Sequence, residues 1–160
     1  METDYYRATY VIDEDNLTEV TSYSNYIFVG TIVSYQKTEY IGDDMPITYY
    51  SVQVKNNIKG ELTTEEEIVL VKAGGLSKDG KVFLCNEKDI LPAEGKTYVF
   101  AATIFNDELY CPCPNMVALI ENTDQIENDE TYKKYVETCQ TISKTVTPVE
   151  GISRYDVNNK

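Results

Sequence analysis

Apolar and polar residues alternate along much of this chain with a period near two, and turn residues interrupt the pattern at short intervals. The densest apolar stretch is residues 25–35, NYIFVGTIVSY, rich in β-branched and aromatic side chains around a single Gly30. It reads as a buried first strand that bends at Gly30 and continues to residue 41. Residues 42–46, GDDMP, carry turn chemistry. Over residues 47–58, Tyr50, Val52 and Val54 alternate with Ser51, Gln53 and Lys55, one dry face against one wet face. These two strands are expected to form a long antiparallel hairpin. Shorter strands follow at residues 68–73, 81–85, 97–105, 108–111 and 117–120, with a tight turn at Asn106-Asp107.

Two stretches change to helical spacing. Residues 16–23 begin at Asn16, a good N-cap, with Glu19 positioned to complete a capping box. In residues 128–143, Tyr132, Tyr135, Val136, Cys139 and Ile142 fall on one helical face. The organisation expected is an N-terminal arm at 1–15, one domain at 16–144 and a partly disordered tail at 145–160. The fold class is mainly β: a five-stranded OB-like Greek-key barrel with a short N-terminal helix and a C-terminal helix packed on it. A glycine bend in a long first strand favours the barrel over the alternative, a β-sandwich.

Charge narrows the function classes. The net charge of −13 leaves no basic footprint for nucleic acid and none for anionic lipid. No apolar run is long enough to span a bilayer, so no direct membrane insertion is expected. The chain has no histidine, which removes imidazole general bases, Ser-His and Cys-His nucleophile pairs and His metal ligands. The start, Met1-Glu2-Thr3-Asp4, is polar and acidic, and reads as a segment whose export signal has been removed.

A polar helix, then SNYIFVGTIVSY, a strand ending NNIKG, then IVLVKAGG and ILPAEGKTYVFAAT follow in order. This order resembles the netrin-like, or tissue-inhibitor-of-metalloproteinase-like, OB-fold domains, and most of all the exported domains of that type in Gram-positive bacteria. The similarity covers about residues 16 to 120. It implies an OB barrel, an extracellular or cell-surface location and a binding role. Inhibitors of that superfamily use an N-terminal Cys-x-Cys whose amine and carbonyl chelate the protease zinc. Here the N-terminus has no cysteine, so that wedge does not carry over.

The remaining chemistry rests on thiols, carboxylates and tyrosines. Cys85, Cys111, Cys113 and Cys139 are an even set suited to structural disulfides, one of Cys111 and Cys113 with Cys85 and the other with Cys139. Buried free thiols, a redox Cys111-Pro112-Cys113 and a four-cysteine zinc site are the competing readings. No acidic cluster has calcium-loop spacing, and no metal or cofactor is expected. Tyr35, Tyr40, Tyr49 and Tyr98 are candidates for an aromatic ligand platform. The function expected is non-enzymatic: an extracytoplasmic module that binds a protein or cell-envelope component. The alternatives are a thiol/disulfide redox protein and a protease inhibitor acting by a route other than the N-terminus.

Overall fold

The computed structural model describes residues 2–6 and 10–159; the parts of the expected arm and tail at positions 1, 7–9 and 160 lie outside the described residues. Among the described residues the chain is mainly β, with two short α-helices. Its strands are β1 (Glu2–Tyr6), β2 (Tyr26–Ile41), β3 (Met45–Lys59), β4 (Glu67–Ala73), β5 (Gly75–Leu76), β6 (Val82–Asn86), β7 (Thr97–Phe105), β8 (Glu108–Cys111) and β9 (Val117–Leu119). The helices are α1 (Leu17–Tyr23) and α2 (Glu130–Thr138), the second preceded by a turn of 3-10 helix at Ile126–Asn128.

Two sheets result. The larger has the order β2-β3-β4-β8-β7-β9, and β7 also pairs with β2, so the ladder closes on itself as a ring. Every link of the ring is antiparallel except β4–β8, which is parallel. The smaller sheet, β1-β6-β5, lies outside the ring, and in it β1 runs parallel to β6. The expected arm is thus in part a strand.

β2 serves two sides of the ring. Its first six residues pair with β7, while from Ile27 to Ile41 it pairs with β3. Gly30 sits where both ladders meet, opposite Val54 on β3 and Tyr98 on β7, and the β3 register slips between Val29 and Gly30. Such a slip is a bulge, which bends a strand and sharpens its twist. The core fills the ring: Phe28, Ile32, Val52, Leu70, Phe100 and Leu109 are all buried. The Phe28 and Phe100 rings, register partners across the β2–β7 seam, lie 5.6 Å apart.

The helices follow their caps. The Asn16 side chain accepts from the N–H groups of Thr18 and Glu19, as its residue type predicts. Glu19 departs from the expected capping box: its carboxylate accepts from the Asp13 N–H at 3.4 Å, because the Asn16 N–H is already bonded to the Asp13 carbonyl. α2 is shorter than the periodicity predicts. It stops at Thr138, and Ile142, expected on the packed face, is 79% exposed. Three-residue closures from Gln140 to Glu137 and from Thr141 to Thr138 replace the helical ladder in a stretch rich in β-branched and hydroxylated residues.

Bonds to the body of the fold hold part of the terminal segment. The Tyr26 hydroxyl donates to Asp156 at 2.6 Å and accepts from the Ser153 N–H at 3.0 Å. The Thr63 N–H donates to the Tyr155 carbonyl and the Val157 N–H to the Glu61 carbonyl. The tyrosine that anchors this return is the first residue of β2.

Asp129 clamps the approach to α2. Its Oδ2 accepts from the N–H groups of Glu121 and Asn122, each at 3.0 Å, and its Oδ1 from that of Tyr132. Burial alone raises the affinity of this carboxyl for a proton, but the backbone donors outweigh burial and hold it below the ordinary aspartate value. A lowered folded-state value makes the contribution full above the unfolded-state pKa of about 4 and loses it as pH falls through the folded value. Asp129→Asn is therefore expected to lower stability at neutral pH and to converge with the parent in strong acid. Urea unfolding of both proteins across acid pH checks this.

Candidate functional site

Tyr35 and Tyr50 are register partners on the β2–β3 hairpin, and so are Thr38 and Thr48. These four residues floor a groove of about 580 Å³. The tyrosine rings meet edge to face at 6.5 Å. One wall is Leu76 of β5 with Phe83 of β6, and the other is Leu91, Pro92 and Glu94 from the connection into β7. Thr3 of β1 stands at the margin.

Local chemistry holds these walls close. Gly75 has φ +143°, and a Cβ there would lie 2.1 Å from the Thr48 hydroxyl, so only glycine permits β5 to lie against β3. The Thr48 hydroxyl in turn donates to the Gly74 carbonyl at 2.7 Å. The Tyr35 N–H donates to the Glu94 carboxylate at 2.9 Å, which pins the far wall to the hairpin. The Tyr40 hydroxyl donates to the Leu76 carbonyl. The polar groups nearest the groove are thereby largely engaged, and its surface is mainly hydrocarbon and ring.

The four tyrosines singled out from the sequence do not share one surface. Tyr35 lines the groove, whereas Tyr40 does not and touches it only through its bond to Leu76, its ring lying under the Lys78 ammonium at 5.6 Å. Tyr49 is the register partner of Lys37, whose ammonium lies 4.6 Å over its ring, and its hydroxyl donates to Glu39. Tyr98 is 3% exposed, packs on Phe100 and accepts from the Ala93 N–H. Tyr50, absent from the expected platform, faces the groove instead. Near the hairpin tip, Thr38 opposite Thr48 sets a pairing that would place Tyr35 opposite Ser51. The slip between Tyr35 and Lys37 brings in Tyr50.

A second cluster lies at the junction of the two sheets. Lys72 on β4 sits in register between Thr48 of β3 and Cys111 of β8. Its side chain is 0% exposed and contacts Asp89, whose side chain is 2% exposed. Cys85, Cys111 and Cys113 surround this pair closely enough to feel its charges. Burial pushes all three thiols up, that of Cys113 to about 12, and the Lys72 ammonium offsets only part of this. Burial, then the charges of Asp89, Cys85 and Cys113, push the Tyr6 hydroxyl up to about 12.

All four cysteines are free thiols, so the expected disulfides are not formed. The shortened α2 leaves Cys139 at its C-cap, where burial raises the thiol and Lys59 partly offsets it. Cys85, Cys111 and Cys113 answer to Lys72 and Asp89 instead. Among the described residues, no group of three or more His, Cys, Asp or Glu side chains is placed to hold a metal ion. Thiol reactivity follows thiolate fraction and access. With an alkylating reagent at mildly alkaline pH, Cys139 is expected to be labelled first, and fully buried Cys111 only on unfolding. Peptide mass spectrometry after timed quenching reads the order, and early labelling of Cys111 or Cys113 would contradict it.

No protein-family model matches this sequence, and no curated protein matches it either. Among the described residues, no helix is long and apolar enough to cross a membrane.

Proposed function

We propose that this chain is a non-enzymatic, extracytoplasmic binding module on a five-stranded OB-like Greek-key barrel, and that it receives an extended polypeptide in the Tyr35–Tyr50 groove. The groove is the observation that carries the reading. Its volume falls within the range of ligand sites, roughly 300–1,000 Å³, and its lining is aromatic and aliphatic. The ring order β2-β3-β4-β8-β7, with one parallel link, supports the OB-like reading. OB barrels take ligands on the face of their early strands, which is where the groove lies. The netrin-like resemblance and the extracellular or cell-surface location rest on the sequence motifs named above.

A polypeptide suits the groove better than a glycan. Sugars need many free donors and acceptors, and here Glu94, Thr48 and Tyr40 are already bonded within the protein. The net charge of −13 speaks against nucleic acid and favours peptides with basic flanks, through long-range attraction. The redox alternative through Cys111-Pro112-Cys113 lacks an activated thiol, since burial raises both. No observation favours protease inhibition.

The test pans a displayed library of random peptides against the protein and titrates the selected peptides. Leu76→Asp and Phe83→Asp place a carboxylate in the groove and are expected to weaken binding about tenfold or more, which is about 1.4 kcal/mol. Equal affinity for parent and variants would sink the reading. So would failure to select any peptide alongside saturable binding of cell-wall glycan fragments.

A further inference from the structure

The Lys72–Asp89 contact adjoins the groove through Thr48, the register partner of Lys72, but neither residue lines the groove and the binding reading does not use the pair. Nζ of Lys72 donates to the Ala73 carbonyl at 3.1 Å and to Oδ2 of Asp89. The other carboxylate oxygen, Oδ1, accepts from the Ile90 N–H at 2.8 Å, and the Asp89 N–H donates to the Asn86 carbonyl. One oxygen therefore faces the amine, while the other is held by a backbone donor. Both groups are presented by fixed backbone. Lys72 is next to last in β4 with a paired strand on each side, and Asp89 sits in a turn braced by Asn86, whose amide donates to the Tyr10 hydroxyl.

We propose that Lys72 and Asp89 are joined by an intramolecular isopeptide bond. The chemistry needs no cofactor and no oxidant. A proton passes from Nζ to Oδ2 along the hydrogen bond they share, leaving an amine beside a carboxylic acid. Nζ attacks Cγ, and the negative charge that develops on Oδ1 meets the Ile90 N–H, a donor already aimed at it. The new Cγ–Nζ bond forms, the Cγ–Oδ2 bond breaks, and Oδ2 leaves as water with the two protons lost from nitrogen. The product is a neutral secondary amide and one water.

Three features favour this step here. Holding amine and carboxyl together in one orientation replaces a bimolecular encounter, an advantage that reaches effective concentrations on the order of 10⁵ M or more. The ion pair is almost wholly out of water, where each charge costs several kcal/mol, and the amide carries no charge. The Asp89 oxygen on which charge develops is already held by the Ile90 N–H, a donor in place before the reaction. The bond would tie β4 of the ring to the turn after β6 of the small sheet, stapling the two sheets together across 17 positions of sequence.

The test is the intact mass of the folded protein under denaturing conditions, followed by digestion and fragmentation. The expected result is a mass one water below the sequence value and a branched peptide joining Lys72 to Asp89. Lys72→Arg, which has no primary amine, is expected to show the full sequence mass. Asp89→Asn is expected to give the same branched product with loss of ammonia instead. The parent protein decides the matter even where a variant fails to fold. A full sequence mass after prolonged incubation of the folded protein would overturn the proposal. A water deficit without the branched peptide, such as a succinimide at Asp79-Gly80, would overturn it equally.

Discussion

Asp89→Ala, measured against protein in which the Lys72–Asp89 pair is still ionic, is expected to lower the unfolding free energy by about 3–5 kcal/mol, the range for stripping one partner from a buried charge pair. Lys72 explains the size. Its side chain is 0% exposed and it stands next to last in β4, with β3 and β8 in register on its two sides. Without Asp89 its ammonium keeps the Ala73 carbonyl as its remaining named acceptor. The reciprocal change, Lys72→Met, is expected to cost less. The turn that carries Asp89 is half-exposed, so a stranded carboxylate can swing outward. An unfolding series in urea reads both variants as shifts of midpoint at unchanged slope. Equal costs, or a larger one for Lys72→Met, would show that β4 yields more easily than the turn.

What the sequence discloses about this fold divides by how far each signal travels along the chain. Local signals are legible. Asn16 caps α1, and Asn106 and Asp107 both take positive φ in the turn between β7 and β8. The β2–β3 hairpin follows from two alternating runs around a turn. Parallel contacts are not legible in this way. The β4–β8 and β1–β6 pairings join segments with no short turn between them, so neither leaves a local mark. The same applies to Lys72. In IVLVKA it reads as one polar residue at a strand end, and nothing nearby announces a carboxylate 17 positions on.

The groove was half legible for a related reason. Tyrosine content and strand pattern point to aromatics on the hairpin, and Tyr35 is among those named. Which side each tyrosine faces depends on register, and a one-residue slip reverses the assignment. β2 slips against β3 at four places, including the step between Tyr35 and Lys37. That step sets Tyr50 beside Tyr35, whereas Tyr49 pairs with Lys37. Tyr98 is lost to the core because it shares a strand face with Phe100, two positions on, and both rings pack inside the ring of strands.

Gly30 is where closure of the ring is most exposed to substitution. A Cβ at this position would lie 2.6 Å from Cγ1 of Val52 and 3.3 Å from the Gln53 carbonyl. Val52 is 0% exposed, and its short branched side chain has no long flexible end to move aside. Two effects compete in Gly30→Ala. Restricting the unfolded chain favours alanine by about 0.4–1 kcal/mol. Overpacking a filled core costs about 1–3 kcal/mol. The clash is expected to win, and Gly30→Val is expected to cost more because its added methyls meet the same wall. The damage should concentrate where β2 crosses from one partner to the other. Amide hydrogen exchange is therefore expected to accelerate first at residues 27–31 and 98–101, along the β2–β7 ladder. Protection lost evenly through the chain, or alanine matching the parent in stability, would mean that β2 rounds this corner without needing a bare Cα.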